Sequence, residues 1–446
     1  MTGRMIAEEL RLRSILPLTA TVNEQDHLAI GGCDTLDLLQ RFGSPLYVFD
    51  EQTIREKCRE YLREFHSRYP NTSVLYASKA YLNLAIAAIM MQEGMGLDVV
   101  SGGELAVALA AGFPAERIDF HGNNKSGEEL REAVAAGIGR VVVDNFHELA
   151  LLDAVAGQLG RRQDVLLRLS PNVDPHTHVH TTTGTLDTKF GIPIATGQAE
   201  EAVQRALAAP HLRLLGLHAH LGSPIFELEP YEQATEIIIG FASQMRRKHA
   251  FEMTEFSPGG GFAVQYIEEH PAPTAAAYAE MIVGSLQRAC ARHNLPLPQL
   301  SVEPGRSTIC RAGVALYTAG ASKTIPGVRR YVSVDGGMAD NIRPAIYGSK
   351  YEAILANRPL EAPDETVTIA GKFCESGDVL IRDARLPHVG AGDVVAIPAA
   401  GAYCLAMSSN YNHATRPAVV LVRDGAARLM RRRETYEDLM RLDCPL

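Results

Sequence analysis

Eight short runs of β-forming residues alternate with helix-like segments between Val74 and Glu303. Several of the helix-like segments have apolar residues three or four positions apart. This alternation predicts parallel strands joined by helical crossovers, and eight repeats of it predict a closed (β/α)8 barrel. The expected strands are residues 74–76, 97–100, 118–120, 141–143, 165–167, 214–217, 253–256 and 300–302.

The pattern changes outside this region. After Arg306 the sequence consists of short strand-like runs separated by Gly, Pro and Asp turns, which is typical of a β-rich domain. The fold class expected is therefore α/β, with a (β/α)8 TIM-like barrel at residues 44–307 followed by a β-rich domain. Residues 1–43 and 308–446 are expected to form that domain, with the amino-terminal part adding a strand. A helix at 52–69 carries one apolar stripe and is expected on the outside of the barrel.

Composition narrows the class of protein further. The 446 residues carry a formal net charge of −9, which gives no basic footprint for nucleic acid. No apolar run approaches the ~20 residues that a membrane-spanning helix needs. The first residues mix Arg and Glu with apolar side chains, unlike a secretory segment, so we expect a cytoplasmic protein. Seven scattered cysteines without a C-x-x-C pair predict neither a disulfide framework nor a zinc ribbon.

Polar side chains stand where the expected barrel strands end. In a (β/α)8 barrel, functional groups collect at the carboxyl ends of the strands, because the loops there vary without disturbing the packed interior. We therefore expect one site at this face, for a small molecule. Its candidate residues are Lys79, Asp98, Ser101, His121, Asn123, Asp144, Arg168, His218, His220, Gly259, Gly260, Gly261, Glu303 and Arg306.

Lys79 follows the first expected strand in the run Tyr-Ala-Ser-Lys-Ala-Tyr. At the mouth of an apolar barrel, desolvation would lower the pKa of its amine and make it a nucleophile able to form a Schiff base. Taken alone, this motif fits an ordinary exposed lysine better. The prediction therefore depends on the other strand ends.

Two such strand ends have groups that could bind a phosphate and a pyridine nitrogen. Gly259–Gly261 follows the seventh strand, where glycine N–H groups can approach a phosphate closely, although a flexible turn would have the same composition. Glu303 and Arg306 end the eighth strand. The carboxylate could pair with a protonated pyridine nitrogen and the guanidinium could bind a carboxylate or phosphate. A structural ion pair at a turn is the alternative.

Histidines form two alternating runs. His218 and His220 end the sixth strand in an H-x-H pattern, which invites a zinc-hydrolase interpretation. The hydrolase barrels have that pattern on the first strand, which here carries a lysine instead. An imidazole stacked on an aromatic cofactor fits better, and a hydrogen-bonded core histidine is the alternative. His176, His178 and His180 could bind a metal, but a functional loop over the barrel mouth is the preferred interpretation, so no metal site is predicted.

The β-rich region supplies a second group of candidates. Cys374 and Glu375 precede a Ser-Gly-Asp turn, Tyr403 ends a Gly-Ala-Tyr run, and Arg343 and Tyr347 follow Val-Asp-Gly-Gly-Met. Thiol, carboxylate, phenol and guanidinium are groups that recognise a polar substrate. A solvated turn explains Ser-Gly-Asp but not the pair before it.

Taken together and in this order, the motifs resemble those of the fold-type III pyridoxal-phosphate-dependent decarboxylases, which have an alanine-racemase-like barrel. The loop V-D-P-H-T-H, with T-G and K-F-G downstream, is similar to the diaminopimelate branch rather than the ornithine or arginine branches. Pro224 and the Ser257–Pro258 pair depart from the family pattern near the phosphate site. The matching motifs, spread over nearly the whole chain, are Y-A-S-K-A-Y, H-G-N-N-K-S, H-x-H-L-G-S, G-G-G, E-P-G-R, V-D-G-G-M, C-E-S-G-D and G-A-Y.

The resemblance implies pyridoxal 5'-phosphate as cofactor and decarboxylation of meso-2,6-diaminopimelate to L-lysine and CO2. Lys79 would carry the cofactor, His220 would stack on its ring and Glu303 would pair with the ring nitrogen. It also implies a homodimer in which Cys374, the proton donor, and Glu375 serve the neighbouring subunit. The implied cofactor-binding residues are Lys79, Asp98, His220, Ser223, Gly260, Gly261, Glu303, Gly305, Arg306 and Tyr403, and the implied substrate-binding residues are Arg306, Arg343, Tyr347, Glu375 and Tyr403.

Three alternatives remain open on the sequence. A related decarboxylase could act on another basic or carboxylated amino acid, a metal-dependent hydrolase could use the same barrel, and an inactive regulatory homologue could keep the fold. Lys79, Cys374 and Glu375 occur together in the chain, which argues against the last, because a protein that only binds has no chemical need for them.

Overall fold

The computed structural model describes residues 10–174 and 183–446, which form two compact units. One unit consists of Cys58–Ala263 and Ala272–Ser307. The other contains the described residues up to Lys57, together with Val264–Pro271 and Thr308–Leu446. The predicted loop with His176, His178 and His180 lies outside the described residues.

Eight parallel strands of the first unit are hydrogen-bonded in a closed ring, which confirms the predicted barrel. The strands follow one another around the ring in chain order, and the last pairs with the first. Most of their residues are buried, as expected for strands covered on both faces. The barrel strands, numbered one to eight below, are Thr72–Ala77, Gly96–Val99, Ile118–Phe120, Arg140–Val143, Gln163–Ser170, Leu212–His218, Glu255–Ser257 and Gln299–Val302.

Helices separate the strands, as the alternating pattern predicts. Five of them begin where a side-chain oxygen accepts a backbone N–H of the first turn, from the caps Asn83, Ser101, Ser126, Asn145 and Thr274. These caps fix where each loop ends and so where the strand-end side chains stand. The barrel helices are Leu84–Gln92, Gly102–Ala110, Gly127–Ala136, Phe146–Gln158, Gln198–Ala208, Glu229–His249 and Ala275–Arg292, and Glu51–Arg68 precedes the first strand.

The second unit is β-rich, as predicted, and is built around a large mixed sheet. Leu46–Asp50, a continuous buried run, lies in the middle of this sheet between Gly313–Ile325 and Ala418–Arg423. The remaining strands of the sheet are Arg329–Val334, Ile354–Leu355, Glu365–Ala370, Val379–Leu386, Val394–Ile397 and Ala426–Arg431.

The amino-terminal part of this unit differs from the prediction. Thr21–Val22, Leu28–Ile30 and Cys33–Asp34 form a small antiparallel sheet of their own instead of adding a strand to the large one. The added strand is Leu46–Asp50, which lies inside the range expected for the barrel. A central strand needs a run that is buried on both faces, and here that run begins after residue 43.

Two properties of the described chain bear on the predicted class of protein. No helix within residues 10–174 and 183–446 combines the length and the apolar character needed to cross a bilayer. The seven cysteines are free thiols, as their scattered positions predict.

Candidate active site

Lys79 lies in a short turn, Ser78–Ala80, directly after barrel strand one. Its Nζ is 3.5 Å from Oδ2 of Asp98, and the Lys79 side chain is 36% exposed while Asp98 is fully buried. Neither oxygen of Asp98 has a hydrogen-bond partner among the described residues. A buried carboxylate without donors is costly, so the ammonium of Lys79 is the neighbour that stabilises it.

Glu303 follows barrel strand eight, which pairs with strand one, at the same end of the barrel as Lys79. Its Oε1 accepts a hydrogen bond from Ser257 Oγ at 2.9 Å and lies 3.0 Å from His218 Nε2. Burial alone would raise the pKa of Glu303, but the neighbouring His218, which is hydrogen-bonded to the carboxylate, outweighs burial and holds that pKa well below its usual range. The carboxylate is therefore an anion at neutral pH.

His121 lies between the two carboxylates. Its Nε2 is 3.8 Å from Asp98 Oδ1 and 3.8 Å from Glu303 Oε1. Burial lowers the pKa of His121 to about 4, although both carboxylates oppose this shift. His121 is therefore neutral near pH 7, and its ring stands edge-on to that of His218 with centroids 5.0 Å apart.

His220 has a different environment from His218, two residues earlier. Its Nδ1 accepts the backbone N–H of Gly260 at 3.3 Å. Burial, followed by the charges of Lys79 and Arg168, lowers its pKa well below the ordinary value. His220 is thus a neutral imidazole beside the glycine loop.

The glycine loop after strand seven passes close to the backbone on both sides. A Cβ on Gly260 would lie 2.0 Å from the carbonyl oxygen of Glu303, and one on Gly261 would lie 2.3 Å from that of Gly222. Gly261 also has a φ of +98°, which only glycine adopts readily. The three-glycine run is therefore a structural requirement and not a merely flexible turn. Tyr231 also holds the loop, because its hydroxyl donates a hydrogen bond to the Gly260 carbonyl at 2.8 Å.

Arg306 and Ser223 are joined at the rim of this loop. Arg306 is buried, and its Nε donates to Ser223 Oγ at 3.1 Å. Gly305, just before it, packs so tightly that a Cβ would lie 2.8 Å from Ala77 Cβ. The predicted residues described above are thus brought together by the ends of strands one, two, three, six, seven and eight.

The second unit brings together Arg343, Tyr347 and Tyr403. Arg343 is buried, its Nε donates to Tyr351 Oη at 2.9 Å, and its guanidinium carbon lies 5.6 Å from the ring centre of Tyr347 and 5.9 Å from that of Tyr403. Tyr266 adds a third ring at 5.3 Å. Tyr403 has a φ of +60°, a strained backbone for a non-glycine residue that is typical of functional sites.

Cys374 and Glu375 lie on an exposed loop of the second unit. Cys374 N donates to Asn412 Oδ1 at 2.9 Å, and Glu375 Oε1 accepts the N–H of Gly377 at 3.3 Å. Asp378, which follows them, is buried and accepts the N–H of Phe373 at 2.8 Å. The Ser-Gly-Asp segment therefore holds the loop, while the two residues before it have exposed side chains.

Three residues at the centre of the barrel site were not assigned a role from the sequence: His121, His218 and Ser257. The strand-end argument found the two histidines, but pattern alone could not say what they contact. Ser257 was noted only as a departure before the glycines. The donor atoms of His121, His218 and Glu303 lie within 4.8 Å of one another, a spacing that a metal site also has. Here the carboxylate already accepts hydrogen bonds from Ser257 and His218.

Comparison with known proteins decides between these possibilities. The family model for the pyridoxal-dependent decarboxylase, pyridoxal binding domain, matches residues 51–310. The chain belongs to the pyridoxal-dependent decarboxylase family. It is 48% identical to the diaminopimelate decarboxylase of Bacillus subtilis (strain 168), over 96% of this chain and 97% of that one. It is 43% identical to the diaminopimelate decarboxylase of Mycobacterium tuberculosis (strain ATCC 25618 / H37Rv), over 96% and 98%.

Solved structures agree with this assignment. The crystal structure of the M. jannaschii diaminopimelate decarboxylase in complex with L-lysine has a TM-score of 0.89 and 35% identity, covering 96% of this chain and 98% of that one. The decarboxylase is thus a member of the diaminopimelate branch, as its motifs predict. The metal-dependent hydrolase suggested by the H-x-H pattern is not supported.

The cofactor of this family is pyridoxal 5'-phosphate, and the residues of the barrel fit it. The glycine loop leaves room beside Gly260 and Gly261 that a side chain would fill. Asp98, fully buried and without a hydrogen-bond donor among the described residues, lies next to the amine of Lys79. One face of the barrel therefore has a lysine that could attach the cofactor, an anionic carboxylate that could pair with the ring nitrogen and a backbone cradle that could hold the phosphate.

Proposed function

We propose that this decarboxylase converts meso-2,6-diaminopimelate to L-lysine and CO2, in the cytoplasm, as a homodimer. The observation that carries the proposal is the near full-length similarity to diaminopimelate decarboxylases of two bacteria, at 48% and 43% identity. The barrel geometry supports it, because it provides each group that pyridoxal chemistry requires. When bound, pyridoxal phosphate supplies an electron sink for the electron pair that departing CO2 leaves behind.

Lys79 is proposed as the residue that holds the cofactor covalently. Its ammonium lies 3.5 Å from the buried Asp98, so the pair keeps the amine at the barrel mouth. Glu303, an anion, keeps a proton on the ring nitrogen, and the neutral His220 covers the ring face. These three assignments use side chains that stand at the ends of different strands, which is how barrel enzymes build their sites.

Backbone and hydroxyl groups are proposed to bind the phosphate. The N–H groups of Gly261 and Gly305 can approach it without a Cβ in the way, and Ser223 donates its hydroxyl. Gly260, whose N–H donates to His220, lines the cradle without a Cβ. Arg306 orients Ser223 through the 3.1 Å hydrogen bond between them. Tyr403 is proposed to complete this set.

The substrate's second carboxylate is proposed to bind Arg343. A planar guanidinium binds a carboxylate with two parallel hydrogen bonds, and here it is buried among tyrosine rings and hydrogen-bonded to Tyr351, so its orientation is fixed. Arg306, Tyr347 and Tyr403 are proposed to share this role. Such a subsite would distinguish diaminopimelate from ornithine or arginine, which have no second carboxylate.

Cys374 and Glu375 are proposed to act in the site of the neighbouring subunit. Their exposed side chains are available to a partner. Glu375 would bind the distal ammonium, and the Cys374 thiol would give its proton to the carbon that loses CO2. The net reaction replaces one carboxylate by one proton, so no oxidant or reductant is needed.

The experiment that tests this proposal is the reaction in deuterium oxide, followed by mass spectrometry of the product. A thiol exchanges its proton with solvent, so we expect L-lysine with one deuterium on the carbon that lost CO2. Cys374→Ala should slow product formation by about a hundredfold, the usual contribution of a positioned general acid. Cys444→Ala, which removes another exposed thiol, is the matched control and should not slow it. Unlabelled lysine, or equal rates in the two variants, would contradict the assignment.

A further inference from the structure

Two buried side chains beside Glu303 have no part in the proposed function. His218 and Ser257 are the last residues of barrel strands six and seven. They are register partners in the parallel ladder between these strands. Residues opposite each other in a ladder have side chains on the same face of the sheet, and both here reach Glu303, at the end of strand eight.

Both side chains hydrogen-bond the carboxylate. Ser257 Oγ is 2.9 Å from Oε1, and His218 Nε2 is 3.0 Å from Oε1 and 3.3 Å from Oε2. An ionised carboxylate only accepts hydrogen bonds, so Ser257 and His218 must both be donors. A carboxylate has about four lone-pair sites, so the two donors leave capacity for a further donor such as a ring N–H.

A glutamate has three side-chain torsions, so holding it in one orientation costs rotamer entropy. Two hydrogen bonds from rigid strand ends fix Glu303 before any ligand arrives. The carboxyl group is 5% exposed, so an alternative orientation would leave its oxygens buried without donors. The orientation of Glu303 is therefore determined by His218 and Ser257.

We propose that His218 and Ser257 are positioning residues, which hold Glu303 as an oriented carboxylate ready for the ring nitrogen of the cofactor. The inference rests on the proposed role of Glu303 as the partner of that nitrogen. It gives the two residues of the H-x-H motif separate tasks: His220 covers the ring face, and His218 acts only through Glu303.

The test is a double-mutant cycle between His218 and Glu303, in which cofactor affinity and turnover are measured for each variant. His218→Leu removes the donor, His218→Gln keeps one, and each is made in the wild-type protein and in Glu303→Gln. The dissociation constant of pyridoxal phosphate is measured by fluorescence titration of the apoprotein, and kcat and KM are measured separately. Ser257→Ala is made in parallel, because it removes the second donor with little change in volume.

We expect His218→Leu to raise the cofactor dissociation constant and to lower kcat, each by about ten- to a hundredfold, the usual cost of removing a supporting partner of a functional group. KM should change less than kcat. In Glu303→Gln the same substitution should change either quantity by less than about threefold, because residues that act through one another are not additive. His218→Gln should recover most of the loss, and Ser257→Ala should show the same non-additivity.

His121→Leu is the matched control. It removes a buried imidazole whose Nε2 is 3.8 Å from Glu303, beyond hydrogen-bond distance, so its effect should persist in the Glu303→Gln protein. Equal effects of His218→Leu with and without Glu303 would overturn the inference, as would effects of less than twofold from both His218→Leu and Ser257→Ala. Failure of the proposed function has a different signature: normal cofactor binding with no CO2 release from diaminopimelate in the wild-type protein.

Discussion

Gly260 and Glu303 are paired across an isolated parallel β-bridge, so the glycine loop and the carboxylate are held together through their backbones. The bridge explains why the loop tolerates no side chain at this position. It also links the proposed phosphate site to the proposed ring-nitrogen site, which must keep a fixed separation to fit one cofactor.

Gly260→Ala is expected to weaken cofactor binding and to destabilise the barrel. The new Cβ would lie 2.0 Å from a backbone oxygen, which must move, and overpacking of this kind costs about 1–3 kcal/mol. Urea unfolding and pyridoxal phosphate titration measure the two effects. Gly103→Ala is the control: its Cβ would meet only Ser101 Oγ at 3.7 Å, inside a helix where alanine is preferred. Equal behaviour of the two variants would contradict the close approach.

Lys79→Arg should abolish covalent attachment of the cofactor while keeping a cation beside Asp98. A guanidinium does not form the carbon–nitrogen double bond that a primary amine forms. Borohydride reduction followed by mass spectrometry should locate the cofactor on Lys79 in the wild-type protein and give no adduct in the variant. Attachment to another lysine, or wild-type activity in the variant, would contradict the role of Lys79.

The titration of Glu104 predicts that the free energy of unfolding falls as the pH rises. Burial raises its pKa to about 7, although the N–H of Val100, 2.8 Å from Oε2, opposes the shift. The folded-state pKa lies above the unfolded value, so the protonated form favours folding, and this stabilisation is lost as pH rises from about 4.5 to about 7. Because the side chain is partly exposed, we expect a loss of about 1–2 kcal/mol between pH 5 and pH 8.

Glu104→Gln removes this titration and keeps the shape of the side chain. The free energy of unfolding of the variant, measured by urea at pH 5 and pH 8, should therefore fall less than that of the wild-type protein over the same interval. An identical pH dependence in the two proteins would show that Glu104 titrates normally.

The proposed sharing of active sites between subunits predicts complementation between two variants of low activity. Lys79→Ala lacks the attachment site, and Cys374→Ala lacks the proposed proton donor. When the two exchange subunits in equal amounts, half of the dimers carry one copy of each and have one intact site, so about a quarter of wild-type activity should appear. Activity no greater than that of the separate variants, after subunit exchange is shown by mass spectrometry, would contradict a shared site.

The sequence predicted the barrel well because its signal is local and repeated. Strands such as Ile118–Phe120 lie within a few residues of the expected bounds, and helices such as Gly127–Ala136 lie between the strands, as the alternation predicts. The small sheet at Thr21–Asp34 was not predicted, since strands of two or three residues give no clear period. Leu46–Asp50 was expected in the barrel range, because sequence cannot tell which sheet a buried strand joins.

Part of the site was also predicted, because the ends of the barrel strands can be located from the same local pattern. Lys79, Glu303 and the glycine loop follow from their places at strand ends. The contacts of His218 and Ser257 with Glu303 depend on the register between strands six, seven and eight, which brings together residues 46 and 85 positions apart in the chain. A single sequence contains no direct record of that register.

The most direct test of the central claim is CO2 release by the purified protein supplied with pyridoxal phosphate and, in separate reactions, meso-diaminopimelate, L-lysine, L-ornithine or L-arginine. We predict release from diaminopimelate only, with L-lysine formed in equal amount. Release from ornithine, arginine or lysine instead would reassign the substrate and contradict the role proposed for Arg343, and no release from any of the four would contradict the decarboxylase assignment itself.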